Sequence, residues 1–367
     1  MIKVIGYANS SSFTNLKPHE FKRHSPKDNE VLIDIKFCGV CHSDIHQARN
    51  EWKNTIYPCM PGHEIIGVVE KVGSKVTKFK EGSVVGVGCM IGSCRECENC
   101  LKGEENYCTK GATATYNGNQ RFPNKTNHTL GGYSSKIVVP EDFVLKIPKS
   151  IPMESAGPIL CAGITTYSPL KHWKVGPGTK VGVIGFGGLG HMAIKLATAM
   201  GAEVTVISTS KDKKRDAKKL GAVKFIDETD KKAMDKNKST LDFILSTIPE
   251  SHDVNPFFDL LKTDGVLTIV GCLMPLKKPL EMGKLIMDRK SLGSSVIGGI
   301  KETQEVLNFC AKHKIYPDIK LINIEEINET FDLIKKREAD FRYVIDMSSL
   351  DGVHEKTFAE MLWKREV

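Results

Sequence analysis

Lys180-Val181-Gly182-Val183-Ile184-Gly185-Phe186-Gly187-Gly188-Leu189-Gly190 is the stretch that decides the fold. An apolar run turns directly into G-x-G-x-x-G, spelled by Gly185, Gly187 and Gly190, and a helical segment, residues 191–200, follows up to Gly201. Three glycines alone would be a weak signal. The strand before, the helix after and a second strand at 204–207 are the context in which backbone N–H groups and a helix N-terminus face a pyrophosphate.

The same rhythm continues downstream. Apolar runs at 225–226, 243–245, 266–270 and 292–297 alternate with amphipathic stretches, the pattern of a parallel sheet covered on both faces. Upstream, Val31-Leu32-Ile33-Asp34-Ile35, Ile65-Ile66-Gly67-Val68-Val69 and Ser83-Val84-Val85-Gly86-Val87 are short strands between turn residues. They predict an all-β, barrel-like domain. Pro148, Pro152 and Pro158 mark the joint, and 367 residues exceed one hydrophobic core. Residues 301–312 read as a further helix, and nothing in their pattern assigns 300–347 to either domain. In the tail, Phe358, Met361, Leu362 and Trp363 stand at helical spacing, which fits a docking helix or a frayed end.

A protein selective for NAD ends its second strand with an acid that grips the ribose hydroxyls. This chain writes Ser208-Thr209-Ser210-Lys211-Asp212-Lys213-Lys214-Arg215. Hydroxyls backed by cations accept a 2′-phosphate that a carboxylate would repel, so NADP(H) is the expected cofactor.

The formal charge of +8 is spread over the chain and densest at residues 211–219 and 231–238, which read as solvated helix surface rather than a nucleic-acid footprint. No secretory run opens the sequence and no stretch of about eighteen apolar residues could cross a bilayer. A soluble, cytoplasmic protein is expected. Eleven cysteines, with four crowded at short gaps, point to metal in a reducing compartment rather than to disulfides.

Cys94, Cys97, Cys100 and Cys108 follow C-x2-C-x2-C-x7-C. Four thiolates with no open position make a closed structural zinc site. Earlier, Cys41-His42-Ser43-Asp44-Ile45-His46 is answered by Gly62-His63-Glu64, the donor types of a zinc site that keeps one position open. Cys41 and His63 are its first candidates. Cys161, in Leu160-Cys161-Ala162-Gly163, is a candidate third ligand that would set the metal between two domains, and spacing leaves that assignment open. Cys38, Cys59, Cys89, Cys272 and Cys310 remain and read as small apolar core residues.

In order along the chain stand Gly39-Val40-Cys41-His42-Ser43-Asp44, Pro61-Gly62-His63-Glu64, the four-cysteine lobe, Leu130-Gly131-Gly132-Tyr133, Cys161-Ala162-Gly163-Ile164-Thr165, the glycine turn and Gly298-Gly299-Ile300-Lys301-Glu302-Thr303. Together they resemble the zinc-dependent medium-chain alcohol dehydrogenases, within the cinnamyl alcohol dehydrogenase-like branch of NADPH-linked aldehyde reductases. The resemblance implies an α/β chain. A GroES-like β-rich catalytic domain, discontinuous over 1–152 and 298–348, would accompany a Rossmann doubly wound parallel sheet at 153–297, with 349–367 an unassigned tail.

The resemblance also implies Cys41, His63 and Cys161 as catalytic zinc ligands, Glu64 beside the metal and able to ligate it, and Asp44 orienting the ligand imidazole. Ser43 would bond the substrate oxygen, with His46 at the outer end of a proton relay. Implied cofactor contacts are Thr165, Gly185, Gly187, Gly188, Leu189, Gly190, Ser208, Thr209, Ser210, Lys213, Thr247, Gly271, Ser295, Val296 and Ile297. Trp52 and Val296 are pocket candidates. Val296 stands where plant lignin enzymes tend to carry an aromatic, which argues against a lignin-type preference. A homodimer with two zincs and NADP per chain, reducing aldehydes to primary alcohols, is the resulting expectation. Its rivals are a polyol or secondary-alcohol dehydrogenase of the same superfamily, a zinc-stabilised nucleic-acid-binding protein, and a zinc-free quinone reductase, which would leave Cys41, His63 and Cys161 without a task.

Overall fold

The computed structural model describes residues 1–118, 128–336 and 342–351, so the apolar tail around Phe358 lies outside the described residues. The chain divides into two units, residues 1–161 with those from 299 onward, and residues 162–298. No helix among the described residues is long and apolar enough to cross a membrane.

Strand Glu30–Gly39 is the axis of the first unit. Its Val31, Leu32, Ile33 and Ile35 are buried. It pairs antiparallel with Ile65–Val72, with Lys136–Pro140 and, near its end, with Arg342–Asp346. The β-rich sheet is completed by Ile319–Asn323, Val84–Val87 and Leu145–Lys146. Register sets Val344 opposite Gly39 and Ile345 opposite Cys38, so a strand from the far end of the sequence lies beside the segment leading to Cys41. The Gly39 N–H donates to the Glu64 carbonyl at 3.0 Å. A Cβ on Gly39 would stand 1.9 Å from a Glu64 carboxylate oxygen, so only glycine lets that side chain pass. At Gly131 a Cβ would stand 2.3 Å from the Pro61 carbonyl oxygen. Its absence lets Gly131, Gly132 and Tyr133 donate backbone hydrogen bonds to Met60, Gly62 and Pro61 at 2.8, 2.8 and 3.0 Å.

The second unit is a six-stranded parallel sheet in the order Lys224–Asp227, Glu203–Ser208, Lys180–Ile184, Leu241–Ser246, Leu261–Ile269, Ser291–Ser294. This is the doubly wound order, whose connections reverse direction between Lys180–Ile184 and Leu241–Ser246. Ile184, Ile207, Ile244, Phe258, Leu261 and Leu267 form its core. The helix after strand Lys180–Ile184 runs Gly188–Ala199 and so begins three residues before the apolar periodicity does, because glycines add nothing to that pattern. Its first turn is therefore Gly188-Leu189-Gly190, whose N–H groups lack intrahelical acceptors. Strand Ser291–Ser294 stops short of the expected 297. Ile297 has φ +40°, a left-handed conformation that breaks a strand and costs a β-branched residue. The lysine-rich helices Lys214–Lys219 and Lys231–Lys236 are largely exposed, as solvated surface should be.

Helix Ile300–His313 starts from Gly299, which has no side chain to cap it. Glu105, from the cysteine lobe, accepts the Ile300 N–H at 2.9 Å instead, placing a carboxylate on the positive end of the helix. Glu105→Ala should cost about 1 kcal/mol and lower Tm by about 2–4 °C with zinc content unchanged, read by calorimetry and metal analysis. An unaltered Tm would show the cap to be dispensable.

Candidate active site and metal centres

Helix His42–Ala48 opens at Cys41, whose N–H donates to Asp44 Oδ2 at 2.8 Å. Asp44 is fully buried. It also accepts from the Tyr133 hydroxyl at 3.0 Å, the Gly62 N–H at 3.1 Å and His63 Nδ1 at 3.0 Å. A buried carboxylate is tolerable only when its lone pairs are filled, and these donors fill them. Because a carboxylate only accepts, His63 donates to Asp44 from Nδ1, and Nε2, the nitrogen that remains for a metal, faces Cys161 Sγ at 3.1 Å. Cys41 Sγ and Cys161 Sγ are 3.8 Å apart. Two sulfurs held at about 2.3 Å by one tetrahedral zinc lie about 3.8 Å apart, so the donors present fit that ion. Ligand atoms of Cys41, His63, Glu64 and Cys161 all lie within 4.8 Å of one another.

The local field favours a cation. A hydrogen bond from Cys161 and the charge of Arg342 hold the Cys41 thiol well below the usual range, while the same contact pushes Cys161 up. Burial opposes a charged His63, yet the Asp44 carboxylate wins and raises its pKa well above the ordinary value. Burial and the Asp44 charge also push up Tyr116 and Tyr133.

Glu64 is fully buried and ion-paired through both oxygens with Arg342. Burial raises the Glu64 pKa and the guanidinium opposes that rise. No local signal marks Arg342 in the sequence, since it lies 278 residues from its partner. Tyr133 appears in the sequence only within a glycine motif, and its role as a donor to Asp44 depends on how that motif folds back. Cys38, Cys59 and Cys310 are buried, as core residues should be. Cys89 is instead half-buried, with its thiol in hydrogen-bonding contact with Cys161, because the Leu160 segment passes within 3.1 Å of where a Gly88 Cβ would stand. Cys272 is half-buried in the turn after Leu261–Ile269, where the chain leaves the sheet.

Ser43 is half-buried in the first turn of helix His42–Ala48. One turn on, His46 Nδ1 bonds Glu51, and its ring stands 5.3 Å from His42 and 5.4 Å from Trp52, centroid to centroid. Trp52 is thus a wall of the His46 environment.

Cys94, Cys97, Cys100 and Cys108 converge within 4.8 Å, with Cys94 and Cys100 sulfurs 3.8 Å apart. The backbone N–H of Cys100, followed by that of Thr109, holds Cys97 down to about 5, whereas burial pushes Cys100 up to about 11. Backbone amides aimed at sulfur prepare thiolates for a metal.

In the parallel-sheet unit the cofactor candidates gather at the C-terminal ends of the strands, where such sheets bind nucleotides. The Gly185 N–H donates to Ile207 O at 3.2 Å, and the Thr247 hydroxyl to Ile184 O at 2.8 Å. A Cβ on Gly185 would stand 2.7 Å from Thr247 Oγ1, and one on Gly271 2.6 Å from Ile248 O. Ser208 is buried at its strand end, Lys213 is half-buried in the next turn, and Thr209 is exposed. Ser208 Oγ accepts the Ser210 N–H at 3.2 Å. Lys211 pairs with Asp227 at 2.8 Å and holds that carboxyl down to about 2. Ser295, Val296 and Ile297 follow the last strand, and Thr165 is buried on helix Ala162–His172.

Tyr133→Phe removes one donor from Asp44 and should weaken zinc retention about tenfold, measured by competition with a chromophoric chelator. Unchanged retention would mean that the remaining donors suffice. Cys97→Ser should release the metal of the cysteine lobe and make residues 92–109 protease-sensitive. Full metal content and resistance would count against that assignment.

Residues 27–149 match the alcohol dehydrogenase GroES-like domain family, and residues 188–312 match the zinc-binding dehydrogenase family. The chain is 48% identical over 351 residues to aldehyde reductase YahK of Escherichia coli (strain K12), covering 95% of this chain and 99% of that one. Among solved structures, cinnamyl alcohol dehydrogenase SbCAD4 from Sorghum bicolor superposes with TM-score 0.90 at 39% identity, over 95% of this chain and 98% of that one. CAD from Helicobacter pylori, solved with NADP(H), gives TM-score 0.86 at 45% identity, over 95% and 99%. With near-complete coverage of both chains added to the buried sulfur and imidazole cluster, this chain belongs to the zinc-dependent medium-chain alcohol dehydrogenases, in their cinnamyl alcohol dehydrogenase-like, aldehyde-reductase branch.

Proposed function

We propose that this protein is an NADP(H)-dependent zinc alcohol dehydrogenase that mainly reduces aldehydes to primary alcohols, with aromatic and medium aliphatic aldehydes as substrates. The observation that carries the reading is the convergence of Cys41, His63 and Cys161, with the His63 tautomer set by Asp44. Residues 1–161 with those from 299 onward would be the catalytic domain, and residues 162–298 the cofactor domain.

Zinc, when bound, supplies a Lewis acid for the carbonyl, and NADPH supplies the hydride. Cys41, His63 and Cys161 hold the metal, and Glu64, neutralised by Arg342, stands as a reserve donor. Ser43 hydrogen-bonds the substrate oxygen and passes it a proton as the alcohol forms. His46 replaces that proton, so the acid needed at the substrate is delivered by side chains rather than by open water. The four-cysteine lobe holds a second zinc with no open position and takes no part in the chemistry.

Several features support NADP(H). Ser208, Thr209 and Ser210 offer hydroxyls where a carboxylate would favour NAD, and Lys213 stands in the following turn. The nearest acid on the neighbouring strand, Asp227, is already neutralised by Lys211. A homodimer fits the last strand of the parallel sheet, Ser291–Ser294, which pairs on one edge only among the described residues. Ile286 and Met287, just before it, are 70% and 83% exposed. Eleven free cysteines suit a reducing, cytoplasmic setting.

Steady-state rates over a panel of aldehydes, ketones and polyols with NADPH and NADH, together with metal analysis, test the reading. Two zincs per chain and the highest kcat/KM for an aldehyde with NADPH are expected. Preference for a polyol or ketone would move the assignment to a polyol or secondary-alcohol dehydrogenase. Ser208→Asp should lower the NADPH/NADH ratio of kcat/KM at least about tenfold through repulsion of the 2′-phosphate. An unchanged ratio would remove Ser208 from cofactor recognition.

A further inference from the structure

Strand Lys17–Arg23 pairs with Ile2–Ala8 in a sheet of two strands. Its side chains alternate, with Glu20 and Lys22 exposed and His19, Phe21 and Arg23 half-buried, so the strand ends by turning a cation inward. The Arg23 guanidinium lies over the Phe21 ring, 4.9 Å from its centroid. Its Nε donates to the Lys136 carbonyl at 2.7 Å. Its Nη2 donates to the Leu130 carbonyl at 2.8 Å, the Gly131 carbonyl at 3.2 Å and Ser134 Oγ at 3.3 Å. Burial pulls its pKa down to about 9, and no acid among the described residues offsets that. A cation drawn inward without a carboxylate is tolerable only where such oxygens are fixed around it.

The three carbonyls bracket Tyr133, two of them before it in the chain and one after. One planar group thus ties both legs of the 130–136 loop. Between the legs, the Tyr7 N–H donates to the Tyr133 carbonyl and the Ser135 N–H to the Ile5 carbonyl, each at 2.8 Å, and the Tyr133 hydroxyl reaches Asp44 at 3.0 Å. We infer that Arg23 is a positioning residue for the catalytic metal centre: by clamping both legs of the loop it aims the Tyr133 hydroxyl at Asp44, the carboxylate that orients His63. This rests on Cys41, His63 and Cys161 being the zinc ligands proposed above. Guanidinium donors diverge in a fixed plane, as two separate legs require, whereas an ammonium is a point charge on a flexible stem. Without the clamp the loop keeps its backbone bonds to Met60, Pro61 and Gly62, so the phenol loses its aim while the unit keeps its fold.

Arg23→Met should weaken zinc retention at Cys41, His63 and Cys161 severalfold, up to the loss of about tenfold expected of Tyr133→Phe, in competition with a chromophoric chelator. The four-cysteine lobe should keep its metal. Arg23→Lys keeps the charge and carries the test if Arg23→Met does not fold, and it should recover little of the loss. With cobalt(II) in place of zinc, the visible absorption that reports ligand geometry should move in the same direction in Arg23→Met and Tyr133→Phe. In a Tyr133→Phe background, Arg23→Met or Arg23→Lys should cost nothing further. Unchanged retention in both single variants, or an equal loss in both backgrounds, would overturn the inference and leave zinc at the site. A Cys41→Ser protein that still binds two zincs per chain would overturn the ligand assignment, and the role of Arg23 with it.

Discussion

One buried carboxylate organises the metal-binding unit. Asp44 accepts hydrogen bonds from Cys41, Gly62, His63 and Tyr133, groups drawn from separate stretches of chain. Each donor is obliged to be there, since a charge without solvent and without partners costs several kcal/mol. Satisfying it brings together the helix that carries Ser43 and His46, the segment that carries His63, and the glycine turn before Tyr133. The same carboxylate sets the imidazole tautomer and, with nearby groups, a negative field that raises the pKa of His63. A site able to draw a proton onto a buried imidazole is one that attracts a zinc ion.

A second buried charge, Glu64, is balanced differently. Its partner Arg342 arrives on strand Arg342–Asp346 through pairing with Glu30–Gly39, and Arg342 stays charged because Glu64, with Cys41 and Cys161 nearby, offsets its burial. A buried ion pair of this kind is weak as a source of net stability, but removing either member strands the other. Its consequence here is positional. The pair fastens the returning strand beside the cluster of Cys41, His63 and Cys161, and glycine at position 39 leaves room for the Glu64 side chain.

The two units were legible to different degrees. Alternating apolar runs and the Gly185 turn identified the parallel sheet, because sheet burial and phosphate approach act on neighbouring residues. The start of helix Gly188–Ala199 and the end of strand Ser291–Ser294 were not placed by that pattern. At one end glycines carry no hydrophobic signal, and at the other a left-handed Ile297 interrupts an apolar run. Cys89 read as packing and instead touches Cys161, since burial alone does not say what a thiol is buried against.

The sequence by itself determined the strand and helix rhythm, the glycine turn, the four-cysteine cluster and the donor types gathered around Cys41 and His63. All of these are written in spacings of a few residues, over which backbone geometry is nearly fixed. Only the tertiary structure decided that Cys161 faces His63, that Tyr133 serves Asp44 and that Arg342 neutralises Glu64. Those partners are separated by up to 278 residues. Their meeting depends on sheet register and on the need to pair every buried charge, and neither is encoded in local spacing.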